Sequence, residues 1–92
     1  MIIDITEVII NRQQSITTLR EWLDANVDPY LGPGQGLKRI DERIPARITT
    51  LEIGEGWQIE MKEMVDGYGR TVYYQLDIDN ETLATFFILK FL

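Results

Sequence analysis

Apolar residues in the first part of the chain recur at alternating steps of three and four, with Arg12 as the one polar interruption. The stripe consists of Ile2, Ile5, Ile9, Ile16, Leu19 and Leu23. This period is typical of amphipathic helices, and it favours a helix over residues 2–10. The same ten residues are rich in isoleucine, with threonine and valine, which also suit a strand.

A second helix is predicted over residues 15–26. Ser15 is a candidate N-cap, while Thr18 with Glu21 forms a capping box that would start the helix later. The residues expected to face a core are Ile16, Leu19, Trp22, Leu23 and Val27.

A segment rich in proline and glycine divides the chain. Residues 28–36 read Asp-Pro-Tyr-Leu-Gly-Pro-Gly-Gln-Gly, a composition that excludes a helix and a central strand. We therefore predict one α+β domain over residues 1–92. Within it, residues 1–27 are mainly helical, residues 28–43 form a connector, and residues 44–92 form a β-meander.

Period-2 alternation of apolar and polar residues predicts the strands of this meander. The first strand covers residues 44–53, and Pro45 marks its start. The second begins at Trp57, and the loss of alternation at residues 63–65 predicts a bulge or the end of the strand. A third strand turns Val72, Tyr74, Leu76 and Ile78 inward and Thr71, Tyr73, Gln75 and Asp77 outward. Both tryptophans, Trp22 and Trp57, are expected in the core.

The last ten residues are apolar at almost every position and carry one charge, Lys90. Interpreted as a fourth strand, they place Leu83, Phe87, Leu89 and Phe91 on one face and Ala84, Phe86, Ile88 and Leu92 on the other. The turns between these strands are short, so neighbouring strands must be antiparallel. The predicted fold is an N-terminal helix packed on a four-stranded antiparallel β-meander.

One face of this last strand remains unexplained, whichever face meets the helix. Its cover is either residues 2–10 or a second molecule. We predict a protein interface formed by Tyr73, Phe86, Ile88 and Leu92, because exposed aromatic and aliphatic side chains are typical of interface cores. A homo-oligomer is the form of partnership that we expect.

Composition excludes several kinds of chemistry. The 92 residues contain neither cysteine nor histidine, so disulfides, zinc–cysteine sites and histidine-based triads are absent. A net charge of −6 disfavours nucleic acid and anionic membranes. The basic segment that contains Lys38, Arg39, Arg43 and Arg47 is interpreted as a solvated connector. No apolar stretch approaches the ~20 residues of a membrane span, and we expect a cytoplasmic protein.

No motif predicts a reaction, a metal or a cofactor. Asp77, Asp79 and Glu81 lack the glycine and the final acid of a calcium loop, so they are interpreted as a polar turn. Glycines 32, 34 and 36 do not have the spacing of a phosphate-binding loop. Glu52, Glu55, Glu60 and Glu63 alternate with apolar residues, as the solvent face of a sheet does. We predict that the protein is not an enzyme.

In the second half of the chain, Gly56-Trp57 opens a strand, Tyr74-Gln75-Leu76-Asp77 continues the pattern, and Glu81-Thr82-Leu83 leads into an aromatic-rich final segment. This order resembles the C-terminal half of gas vesicle accessory protein O. The final segment departs from the family, whose last strand is rich in arginine and tyrosine. The resemblance implies an accessory role, without catalysis, in assembling or regulating a protein shell.

The predicted function is therefore protein binding for assembly or regulation, through a hydrophobic face or edge of the sheet. Two alternatives stay open. An acidic inhibitor of the kind that phages encode would mimic nucleic acid and occupy a basic cleft of its target. A small-ligand-binding domain would instead hold its ligand between a helix and a curved sheet.

Overall fold

The computed structural model describes residues 1–34, 38–41 and 46–92. Along the chain, two short elements are followed by a longer helix, five strands and a final helix. The elements are β1 (Ile2–Asp4), α1 (Thr6–Ile10), α2 (Ile16–Asn26), β2 (Tyr30–Pro33), β3 (Lys38–Asp41), β4 (Ala46–Gly54), β5 (Trp57–Asp66), β6 (Gly69–Ile78) and α3 (Glu81–Phe91).

All strand pairs in the single sheet are antiparallel, in the order β1-β6-β5-β4-β2. The sixth strand, β3, pairs with the first half of β4, whereas β2 pairs with its second half. The fold is thus α+β, as predicted, but the sheet has six strands within the described residues instead of four.

The core lies between one face of this sheet and the three helices. From the sheet it takes Ile3, Trp57, Ile59, Leu76 and Ile78, and from the helices Val8, Leu19, Leu23, Ala84, Phe87 and Phe91. Burial of these apolar side chains is the main stabilising contribution, at about 25 cal/mol per Å². Trp57 is buried and Trp22 packs against the cluster, as predicted.

The predicted meander is confirmed as β4, β5 and β6, joined by tight turns. Gly56 has a φ of +79° in the first turn, a conformation that glycine adopts without strain. The predicted break at residues 63–65 is wrong, because β5 stays in register with β6 from Trp57 to Asp66. The irregularity lies instead in β4, where Leu51 is the additional residue of a bulge opposite Glu60 and Ile59.

Helix α2 begins where the sequence predicts. Ser15 has an extended backbone, and its Oγ accepts a hydrogen bond from the Thr18 amide at 3.0 Å. This bond satisfies one of the amides that the first turn of a helix leaves without a partner. Leu19 and Leu23 then point into the core.

The last ten residues form a helix, and the predicted fourth strand of the meander is wrong. Asn80 caps α3, since its Oδ1 accepts from the Leu83 amide at 3.1 Å. Ala84, Phe87 and Phe91 are buried on one side of the helix, at the spacing of successive turns. A segment that is apolar at almost every position shows no period-2 alternation, so its sequence contains no pattern that specifically predicts a strand.

Residues 2–10 contain both a strand and a helix, so the preference for one helix was wrong for residues 2–4. In β1, Ile3 lies opposite Leu76 of β6. The Met1 carbonyl also accepts from the Ile78 amide at 2.9 Å. Pairing with the edge of β6 satisfies these backbone groups, a long-range effect that local spacing does not encode.

The connector predicted over residues 28–43 contains two strands, β2 and β3. Pro33 ends β2, which lies at an edge of the sheet, so the exclusion of a central strand holds. The predicted strand start at Pro45 and the basic residue Arg43 lie outside the described residues.

Candidate protein-binding surfaces

Helix α3 exposes two large apolar side chains on its outer side, in addition to the apolar side chains that it buries. Thr82, Thr85, Phe86 and Leu89 are all exposed and follow the spacing i, i+3, i+4, i+7, which places them along one side of the helix. We call these four residues the α3 outer stripe. Phe86 is 55% exposed and Leu89 is 77% exposed. A helix that is hydrophobic all round is normally buried on both sides.

A groove of about 490 Å³ runs beside this stripe, between α2 and α3. Its lining residues are Trp22, Asn26, Leu83, Phe86, Leu89 and Lys90. We call it the α2–α3 groove. The Trp22 ring packs edge-on against the rings of Phe87 and Phe91. The distances between ring centroids are 5.7 Å to Phe87 and 5.6 Å to Phe91. The wall of the groove is therefore anchored in the core, and the groove is preformed.

The structure separates the four residues that were predicted to form an interface. Phe86 lines the α2–α3 groove, whereas Ile88 is half-buried and packs against the core. Tyr73 and Leu92 lie together on a second cavity of about 390 Å³, which Ile10 also lines. The interface remains a prediction, but Phe86 lies on one surface, Tyr73 and Leu92 lie on another, and Ile88 packs against the core.

Sequence reasoning missed Leu89, the most exposed apolar residue of α3. The strand interpretation placed Leu89 with Phe87 and Phe91, on a face expected to reach the core. A signal for the correct arrangement existed in the chain, because Leu83, Ala84, Phe87, Ile88 and Phe91 follow a helical stripe. In that frame, Phe86 and Leu89 fall on the opposite side.

The glutamates of β4 and β5 are less solvated than predicted. Glu55 is exposed, but Glu52 and Glu63 are half-buried and Glu60 is fully buried. The Gln58 side-chain amide donates to Glu60 Oε1 at 3.2 Å. The prediction that all four residues lie on a solvent face is therefore wrong.

A polar cluster joins α2 to the edge of the sheet. The Tyr30 hydroxyl donates to the Glu52 carboxylate, and Arg20 Nη1 lies 3.6 Å from Glu52 Oε1. The Arg20 guanidinium also lies over the Tyr30 ring, 4.9 Å from its centroid. The hydrogen bond to Glu52 raises the pKa of Tyr30 above its ordinary value, and desolvation adds to the shift.

A small polar cavity of about 230 Å³ lies beside the β4–β5 turn, where Asp77 and Asp79 approach Gly56. Among the described residues, no group of three or more acidic side chains is placed to hold a metal ion. Glu81, the third acid of the predicted turn, instead occupies the first turn of α3.

Comparisons with protein-family models, curated proteins and solved structures found no match to this chain. In the part of the chain that the structure describes, no helix has both the length and the apolar character that crossing a membrane requires.

Proposed function

We propose that this protein is an assembly module without catalytic activity, which self-associates by packing α3 against α3 of a second copy. The observation that carries the proposal is the exposed α3 outer stripe, which has no cover among the described residues. Exposed apolar patches on a folded domain mark interaction sites.

The patch is shaped to bind a copy of itself. Phe86 and Leu89 form a ridge, and the α2–α3 groove lies directly beside this ridge on the same surface. In a two-fold arrangement each ridge enters the groove of the other copy, because both elements occur once in each chain. The i, i+3, i+4, i+7 spacing of the α3 outer stripe is that of a helix that packs on another helix.

Charge favours an antiparallel orientation of the two helices. The chain carries a net charge of −6, but the α3 outer stripe itself is uncharged, so two copies approach there with little local repulsion. Lys90 lies in the last turn of α3 and Glu81 in the first. Antiparallel packing brings the end that carries Lys90 close to the end that carries Glu81 of the other copy, whereas parallel packing sets lysine beside lysine.

The available area fits a dimer of modest affinity. At their observed exposure, Phe86 and Leu89 contribute roughly 250 Å² of surface, against about 800 Å² for each partner of a standard interface. The threonines of the stripe, Lys90 and the groove walls supply further area. We expect dissociation in the micromolar range, which is the weak end of the range that interfaces of standard size span.

Light scattering and sedimentation over a range of concentrations test this proposal. The wild-type chain should shift from monomer to dimer as its concentration rises through the micromolar range. Leu89→Gln should remain monomeric, with an unchanged circular dichroism spectrum, because it alters only the exposed stripe.

Leu31→Gln is the matched control, because Leu31 is 66% exposed but lies in β2, away from α3. This variant should dimerise like the wild type. A wild-type chain that stays monomeric at high micromolar concentration would contradict the proposal, as would equal weakening by both variants.

Assembly of a protein shell, the role that the resemblance to gas vesicle accessory protein O implies, is one process that such a module would serve. The alternative of a nucleic-acid mimic rests on net charge alone. A small-ligand domain would need an enclosed pocket, whereas the α2–α3 groove is open along the outside of two helices.

A further inference from the structure

Strand β6 leaves part of its outer edge open. On that side β1 pairs only with residues 75–77. The ladder then stops at Thr6, whose hydroxyl accepts from the Tyr74 amide at 2.8 Å. Among the described residues, no strand pairs with residues 69–73 on this side. An open edge offers a row of backbone donors and acceptors to another strand.

The backbone groups that point outward can be identified from the register. The Tyr74 and Ile78 amides bond away from β5, to Thr6 and Met1. The backbone amide and carbonyl of successive residues point to alternate sides of a strand. The amide and carbonyl groups of Arg70 and Val72 therefore also point outward. The Arg70 side chain lies 3.3 Å from Glu63 of the neighbouring strand, so it is held back over the sheet.

The cavity that holds Tyr73 and Leu92 lies at one end of this open edge, where β1 leaves the sheet and α1 begins. Its apolar wall includes Ile10, which is 56% exposed. Two acids, Asp4 and Glu7, line the same cavity. The nearby cation Arg12 is directed to the end of α3, since its Nη1 donates to the Phe91 carbonyl at 2.7 Å and lies 3.5 Å from the Leu92 oxygen.

We propose that this edge and cavity together bind an extended peptide segment of a partner protein. The segment adds as a strand beside residues 70–73 and places an apolar side chain in the cavity, with a lysine or arginine near Asp4 and Glu7. In strand addition, the main chain supplies affinity and the pockets for alternate side chains supply specificity. This surface is separate from the α3 outer stripe, so the proposal does not depend on self-association.

Selection from a random nonapeptide library displayed on phage tests the proposal, with the full chain as the immobilised target. Enriched peptides should carry β-branched residues at alternate positions. They should also contain an apolar residue for the cavity and a basic residue for Asp4 and Glu7. Their affinities are then measured by fluorescence anisotropy with synthetic, labelled peptides.

Hydrogen exchange on the wild-type chain gives a readout that needs no variant. The amides of Arg70 and Val72 should exchange rapidly in the free protein and slow down when a selected peptide is added. The Thr71 and Tyr73 amides point towards β5, so they should be protected in both states.

Three pairs of variants locate the contact. Val72→Pro removes one outward donor and should weaken peptide binding about tenfold, whereas Val72→Thr keeps the donor and should bind normally. Ile10→Ser should weaken binding about fivefold, against no change for Ile40→Ser at an isoleucine of β3 that is even more exposed. Glu7→Gln should weaken only peptides with a basic residue, about twofold, while Glu21→Gln should have no effect.

Three results would overturn the proposal. The first is a selection that enriches no peptide, and the second is an enriched peptide that leaves the Arg70 and Val72 amides unprotected. The third is protection of these amides that grows with protein concentration alone, which would assign the edge to a second copy. Leu89→Gln should bind the peptides normally, so failure of the α3 contact is distinguishable from failure at this edge.

Discussion

Helices α2 and α3 have the same length, eleven residues each, and pack on the same face of the sheet, but their outer sides differ. The outer side of α2 is polar and includes Glu21 and Asp24. The outer side of α3 presents Phe86 and Leu89. Since the core requires only one apolar side from each helix, the outer side of α3 is not explained by the packing of the residues that the structure describes.

The flanks of the two helices differ in the same way. Arg20 of α2 reaches Glu52 and covers the Tyr30 ring, so this flank is occupied by the chain's own sheet. The flank of α3 borders the open α2–α3 groove. We therefore propose that α3 serves stability on one side and association on the other, whereas α2 contributes to association only through Trp22 and Asn26 in the wall of the groove.

The largest expected effect separates the two sides of α3. Phe87→Ala should lower the free energy of unfolding by about 3–5 kcal/mol, because it opens a cavity in the core. Phe86→Ala should change it by less than about 0.5 kcal/mol, measured by urea unfolding at a concentration where the chain is monomeric. Equal losses would mean that α3 is embedded in the domain on both sides.

A smaller effect should be common to both helices. Ser15→Ala and Asn80→Ala each remove a side-chain oxygen that accepts from an amide of the first turn. Each should cost about 1 kcal/mol in urea unfolding. Thr82→Ala, an exposed change in the first turn of α3, is the control with no expected loss. A loss of unfolding free energy for only one of the two variants would show that only one of the helices is stabilised by its side-chain cap.

The smallest effect concerns the occupied flank of α2 and depends on pH. The pKa of Tyr30 is raised in the folded protein, chiefly by its hydrogen bond to Glu52. Above the ordinary tyrosine pKa of about 10, the unfolded chain loses this proton while the folded chain keeps it, so stability falls as pH rises. The stability difference between wild type and Tyr30→Phe should therefore shrink above about pH 10. A difference that is constant with pH would contradict the assignment.

Much of the fold is predictable from local signals. The start of α2 at Ser15 follows from capping chemistry, and β6 follows from strict alternation that ends in Leu76 and Ile78. The short turns define the antiparallel meander. Long-range pairing is not encoded locally, and for this reason β1 and the two strands within residues 28–43 were not predicted.

The candidate site was predictable only in part. The excess of apolar residues in residues 83–92 correctly indicated a segment with two apolar sides. It did not reveal the period, because helix and strand patterns cannot be distinguished where almost every position is apolar. Asn80, followed by Glu81 in the first turn, was the local signal for a helix. The strand interpretation does not use this capping signal, and it therefore assigns Leu89 to the core and Ile88 to the surface.

The outer sides of the two helices can be compared directly by cross-linking, because the chain has no cysteine of its own. Thr85 lies near the middle of the α3 outer stripe, and Thr17 is an exposed threonine on α2. Under mild oxidation, Thr85→Cys should form a covalent dimer on a non-reducing gel, and Thr17→Cys should remain a monomer. Cross-linking that is equally efficient in both variants, or absent from Thr85→Cys, would contradict the claim that α3 packs against α3 of a second copy.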